Sequence, residues 1–139
     1  MSGALPSGDA DVPFVAAVDA IDFTTIKSLE QLTPEASFLE RLVAGYVRDT
    51  EEQLRILDRA VDSGDVPGLR DALHAVSGSS GNIGAVRMMH WCLAMRAQSD
   101  AELLVEGRSL VERLATLIAE SRALLERYLG DRHRALPKL

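Results

Sequence analysis

The chain has little of what several function classes require. A single cysteine, Cys92, in 139 residues excludes an internal disulfide and fits a reducing compartment. No apolar run approaches the ~18 residues that a bilayer-spanning helix needs. The N-terminus lacks the basic-then-apolar order of a secretory signal. Aromatic residues are scarce at 4% while the hydrophobic fraction is 47%, so the core must come from Leu, Val, Ile, Met and Ala. Positive charge is in deficit, with 15 Lys and Arg against 21 Asp and Glu and a net charge of −6. Such a surface repels phosphate backbones and argues against a nucleic-acid partner. These absences point to a cytoplasmic domain without direct membrane insertion.

Enzyme signatures are missing too. A P-loop needs G-x-x-x-x-G-K-[ST] after a strand, and "GSSGNIG" has no lysine. Its glycines, Gly78, Gly81 and Gly84, are evenly spaced by three, which does not match a dinucleotide fingerprint. "GSSG" is one residue short of a nucleophile elbow. No H-E-x-x-H and no C-x-x-C occurs, so no metal site is expected. His90 and Cys92 flank Trp91 in an apolar segment and read as structural.

What is present is helical periodicity. The length suits one domain able to bury a core. Residues 1–20 read as a flexible lead, 21–130 as the folded body, and 131–139 as a polar tail in which His133 is solvated. Asp22 can cap a short helix to about Leu32. Thr33, with Pro34 in the first turn, can cap a long one. Its stripe is Leu39, Val43, Tyr46, Thr50, Leu54, Leu57 and Val61, in steps of three and four. "DSGD" (62–65) breaks that helix, and Asp65 offers the next cap. Val86, Met89, Leu93 and Ala97 mark a further helix. Ser99 or Asp100 caps the last, whose stripe is Leu103, Gly107, Leu110, Leu114, Leu117, Ser121, Leu124 and Tyr128. No sustained two-residue alternation appears. The expected fold is all-α, an antiparallel four-helix bundle with a short additional N-terminal helix.

The stretch from Leu73 to Ala85, "LHAVSGSSGNIGA", lies in this pattern. Advancing 100° per residue with His74 at zero puts Leu69, Leu73, Val76 and Ile83 about 100–180° away. His74 therefore points away from the apolar face. Its neighbours within about 60° are Arg70, Asp71, Ser77, Gly78 and Gly81. Two glycines inside a helix cost roughly 1 kcal/mol each relative to alanine, and on a polar face packing does not require them. They clear the surface over the imidazole. Ser79 and Ser80 lie nearer the buried side and suit close helix approach. An exposed, neutral imidazole can attack an electrophile without a base. If that electrophile is a phosphoryl group, the partner must supply the remaining machinery.

The same stretch resembles the signature of histidine phosphotransfer (HPt) domains of bacterial multistep phosphorelays. His74, Val76, Gly78, Ser79, Ser80, Ile83, Gly84 and Ala85 fall in its register, and "AVDSGDVPGLRDA" (60–72) is similar to the family's entry into the active helix. The resemblance spans roughly Asp22 to Tyr128. It implies a four-helix bundle whose His74 accepts a phosphoryl group from a receiver-domain aspartate and relays it to another receiver, or the reverse. It implies a phosphocarrier without kinase activity of its own, monomeric, binding no cofactor, with Mg²⁺ held by the receiver. Such modules often form the C-terminal part of hybrid sensor kinases at the cytoplasmic end of a membrane-anchored chain. Gly84 and Ala85 would be structural parts of the motif. The family's lysine three residues after the histidine is Ser77 here. Arg70 is then the expected source of charge support or partner docking, partly opposed by Asp71, with slower transfer or a narrower partner range. The competing reading is a helical module that docks a receiver or a regulated enzyme without phosphorylation.

Overall fold

The computed structural model describes residues 19–135, with side chains to residue 132. The expected lead through residue 18, the His133 side chain and the last four residues lie outside what is described. Among the described residues five helices follow one another: α1 (Phe23–Glu30), α2 (Phe38–Ser63), α3 (Val66–Ile83), α4 (Val86–Arg96) and α5 (Asp100–Ala135). No strand occurs among the described residues. α3 packs between α2 and α4, while α5 lies mainly along α2. The architecture is an all-α bundle of four helices, with α1 set against α2 and α3.

Local chemistry explains the helix ends. The Asp22 carboxylate accepts from the Thr24 N–H at 3.0 Å and opens α1. Gly64 closes α2 in the left-handed region, φ 69°, and the Asp65 N–H reaches back to the Ala60 carbonyl at 2.9 Å, as a glycine-terminated helix allows. Asp65 then caps α3 by accepting from the Gly68 N–H at 3.0 Å. Gly84 ends α3 in the same way at φ 86°. α5 opens on a reciprocal pair: the Glu102 N–H donates to Ser99 Oγ at 3.1 Å and the Ser99 N–H to Glu102 Oε1 at 3.0 Å. Ser99, not Asp100, is therefore the cap.

Two expectations need correction. Thr33 does not cap α2: its hydroxyl accepts from the Glu35 N–H at 3.3 Å, closing a separate turn, and the helix begins only at Phe38. α5 runs through Ala135, past Gly130, because a single glycine and a polar run do not stop a helix already anchored elsewhere. Arg132, near its end, pairs with Glu30 of α1 at 2.8 Å. The helix marked by Val86, Met89, Leu93 and Ala97 is present as α4, with Ala97 as its C-cap, but these residues are not its buried face. The core takes Met88, Trp91, Cys92 and Met95, and Leu93 is 44% exposed. The segment is apolar on several sides, so its periodicity selects no face.

The core is aliphatic. Leu57, Leu73, Val76, Met88, Leu103 and Leu114 have no exposed surface. Each large side chain of this kind contributes on the order of 1.5–3 kcal/mol of transfer free energy. Burial pushes the Cys92 thiol well above its usual range, leaving it inert.

Candidate functional site: an exposed imidazole on the third helix

α3 shows two characters. Leu69, Ala72, Leu73, Val76, Ser80 and Ile83 are buried, whereas Asp71, His74, Ala75, Gly78 and Asn82 are exposed. His74 stands in the middle of that open sector, and among the described residues its imidazole is held by no hydrogen bond or ion pair. A Cβ placed on Gly78 would meet nothing within 4 Å. One turn past the histidine, then, the surface is bare on the side from which a partner must approach.

The other supporting residues sit differently from the sequence reading. Ser77 is not on the surface. It is 5% exposed, and its hydroxyl donates to the His74 carbonyl at 2.7 Å. The wheel puts it on the same side as His74, but α4 covers that flank, which a wheel cannot show. Gly81 is not a clearing residue either, because a Cβ there would lie 2.9 Å from Met89 Sδ. Its bareness lets α4 come close.

Arg70 departs furthest from expectation. Its guanidinium donates to the carbonyl of Arg96, to that of Gln98 at 2.9 Å, and to Asp100 at 2.6 Å. It clamps the α4–α5 turn onto α3, and its charge is matched by Asp100. It is therefore not available as a cation for the histidine, and its role is structural. Gly84 and Ala85 are buried, and a Cβ on Gly84 would lie 2.8 Å from the Asp22 carbonyl oxygen.

Sequence reasoning missed a polar link through the core. Tyr46 of α2 and Ser80 of α3 share a hydrogen bond of 2.7 Å between buried hydroxyls, and the buried Ser121 of α5 lies near the tyrosine. Burial, partly offset by the neighbouring serine hydroxyls, pushes the tyrosine up to about 12. The signal lay in the stripes, where Tyr46 and Ser121 put hydroxyls into mainly aliphatic series. The bond ties the C-terminal half of the histidine helix to α2. No cluster of three or more potential metal ligands occurs among the described residues, and no helix among them is long and apolar enough to cross a membrane.

A helix packed between two others that offers an exposed, unengaged imidazole has the form of a group carrier, a nucleophile presented to another protein. Comparison with known proteins gives that class its family. The family model for the Hpt domain matches residues 41–128, which include the whole of α3 and α4. The chain belongs to the Hpt family and is a histidine phosphotransfer module of phosphorelays, a family that works with receiver domains. Among solved structures it is similar to histidine-containing phosphotransfer protein B (HptB) from Pseudomonas aeruginosa PAO1. Identity is 27%, the TM-score is 0.72, and the match covers 83% of this chain and 98% of that one. No curated protein matches.

Proposed function

We propose that His74 is the phosphoacceptor, taking a phosphoryl group from the aspartate of one receiver domain and passing it to another. The observation that carries this is the pairing of an unengaged, exposed imidazole with open space at Gly78. In the transfer, a lone pair on one ring nitrogen forms the N–P bond. The P–O bond to the aspartyl carboxylate breaks, and the carboxylate leaves with its electron pair. The proton on the other ring nitrogen is not involved. Attack must be in line, so the donor's active site has to sit directly over His74, and the receiver brings the Mg²⁺ that neutralises its own phosphoryl oxygens. This chain contributes a fixed nucleophile: α3 is held by α2 and α4, and positioning is the main catalytic gain such a carrier can offer.

The reading carries with it action as a monomer in the cytoplasm, either as a separate carrier or as the terminal module of a hybrid sensor kinase. It also predicts no nucleic-acid partner, given the acidic balance. The test is incubation with a receiver domain carrying ³²P on its aspartate. Acid-labile label is expected on the wild type and none on His74→Gln. Label on His74→Gln would overturn the assignment. Tight receiver binding with no transfer to the wild type would return the docking reading.

A further inference from the structure

A phosphoryl group on His74 brings negative charge to a surface already carrying the exposed Asp71 one turn away. α3 supplies nothing to balance it. Ser77 is turned inward onto the His74 carbonyl, and Arg70 is committed to Asp100 and two backbone carbonyls. The compensating charge has to come from elsewhere in the fold.

The register between α3 and α4 shows where. The two helices are antiparallel neighbours pinned at two points. At one, Gly81 lies against Met89, whose Sδ would be 2.9 Å from an added Cβ. At the other, Arg70 grips the carbonyls of Arg96 and Gln98. Seven residues back from Gly81 is His74, and seven residues on from Met89 is Arg96. Seven residues is about two turns, ~10 Å along the axis, with the face kept to within about 20°. His74 and Arg96 therefore face each other across the groove that Gly81 and Met89 occupy lower down.

The opposite flank of α4 is assigned independently. Arg87 pairs with Glu120 of α5 at 3.1 Å, so the stripe Met89, Leu93 and Arg96 is the one that borders α3. Arg96 is exposed, and among the described residues no ion pair or hydrogen bond holds its guanidinium. The Arg70 clamp holds its backbone one turn from His74.

We propose that Arg96, reaching across from α4, supplies the positive charge that stabilises the phosphoryl group on His74. This rests on His74 being the phosphoacceptor. Arg96 makes and breaks no bond. It donates N–H groups to the phosphoryl oxygens as negative charge gathers there, the geometry for which guanidinium is suited. Leu93, exposed between Met89 and Arg96, gives the same edge an apolar shoulder.

The experiment uses the wild type, Arg96→Ala, Arg96→Lys and His74→Gln with two phosphodonors, a phosphorylated receiver domain and the small molecule phosphoramidate. Arg96→Ala is expected to slow labelling of His74 about five- to tenfold with both donors, the size of one charge-assisted contact at a solvated site. Arg96→Lys should recover most of the rate, and the melting temperatures of both variants should match the wild type. Unchanged rates in Arg96→Ala would overturn the proposal. So would a loss seen only with the receiver, since phosphoramidate needs no docking surface. A wild type labelled by neither donor, or labelled equally in His74→Gln, would instead remove the phosphoacceptor reading on which the proposal stands.

Discussion

Replacing Gly78 by alanine should make this protein more stable, and the size of the gain follows from the structure. Gly78 lies inside α3, where glycine costs about 0.8–1.0 kcal/mol relative to alanine. The added methyl would meet nothing within 4 Å, so no packing cost offsets the gain. In a domain of this size about 1 kcal/mol raises the melting temperature by about 3–4 °C. Gly81→Ala is the internal control. It has the same intrinsic gain, but its methyl would lie 2.9 Å from Met89 Sδ, so Met89 must move and most of the gain is lost. Gly78→Leu separates stability from access. A leucine there keeps most of the propensity gain. Its side chain, though, leans toward the helix N-terminus and over the residue four positions earlier, which is His74. Urea and thermal melts should rank Gly78→Ala above Gly81→Ala, and transfer from a phosphorylated receiver to Gly78→Leu should fall by about tenfold or more. A destabilised Gly78→Ala, or a Gly78→Leu that is phosphorylated at the wild-type rate, would refute the idea that this glycine gives up stability for access.

Two further outcomes test the frame that holds the histidine. Gly84→Ala should lower the urea-derived stability by about 2 kcal/mol or more. The position has φ 86°, which a side chain disfavours by roughly 1–2 kcal/mol, and the new Cβ would press on the Asp22 carbonyl oxygen at 2.8 Å. Tyr46→Phe should cost about 1 kcal/mol at neutral pH, since the buried Ser80 hydroxyl loses its partner. The same variant should blunt alkaline unfolding. Burial raises the Tyr46 hydroxyl from 10.0 to about 12, so its contribution is fully present below pH 10 and is lost as pH rises toward 12. Two pH units correspond to about 3 kcal/mol. Stability measured between pH 8 and about 11.5 should fall less steeply in Tyr46→Phe, and an identical slope would show that Tyr46 is not the group responsible. Tyr128, also raised to about 12, is common to both proteins and cancels in the comparison.

Much of the fold was legible because its signals are local. Asp22, Asp65 and Ser99 are short polar side chains standing just before apolar series, and each caps a helix as the spacing predicts. The long stripes of α2 and α5 declared their buried faces because polar residues fill the opposite sides. α4 did not, since methionine, leucine and alanine lie on both flanks and only contact with α3 and α5 selects Met88, Trp91, Cys92 and Met95. The start of α2 was misplaced for a related reason. Thr33 and Pro34 carry the chemistry of a helix start, but that chemistry equally closes the isolated turn seen here.

The sequence by itself determined that the protein is a helical bundle, that His74 points outward, and that glycines accompany it. These depend on the 3.6-residue period and on the intrinsic cost of glycine, both properties of one chain segment. Tertiary structure decided what each neighbour of the histidine does. A wheel assigns directions about one axis and says nothing of what lies in them. The packing of α4 turned Ser77 inward, made Gly81 a contact for Met89 and bound Arg70 to the α4–α5 turn. Only Gly78 was left to keep the surface open. The same packing set Arg96, 22 residues further along the chain, across the groove from His74, because antiparallel register joins residues that no local spacing relates.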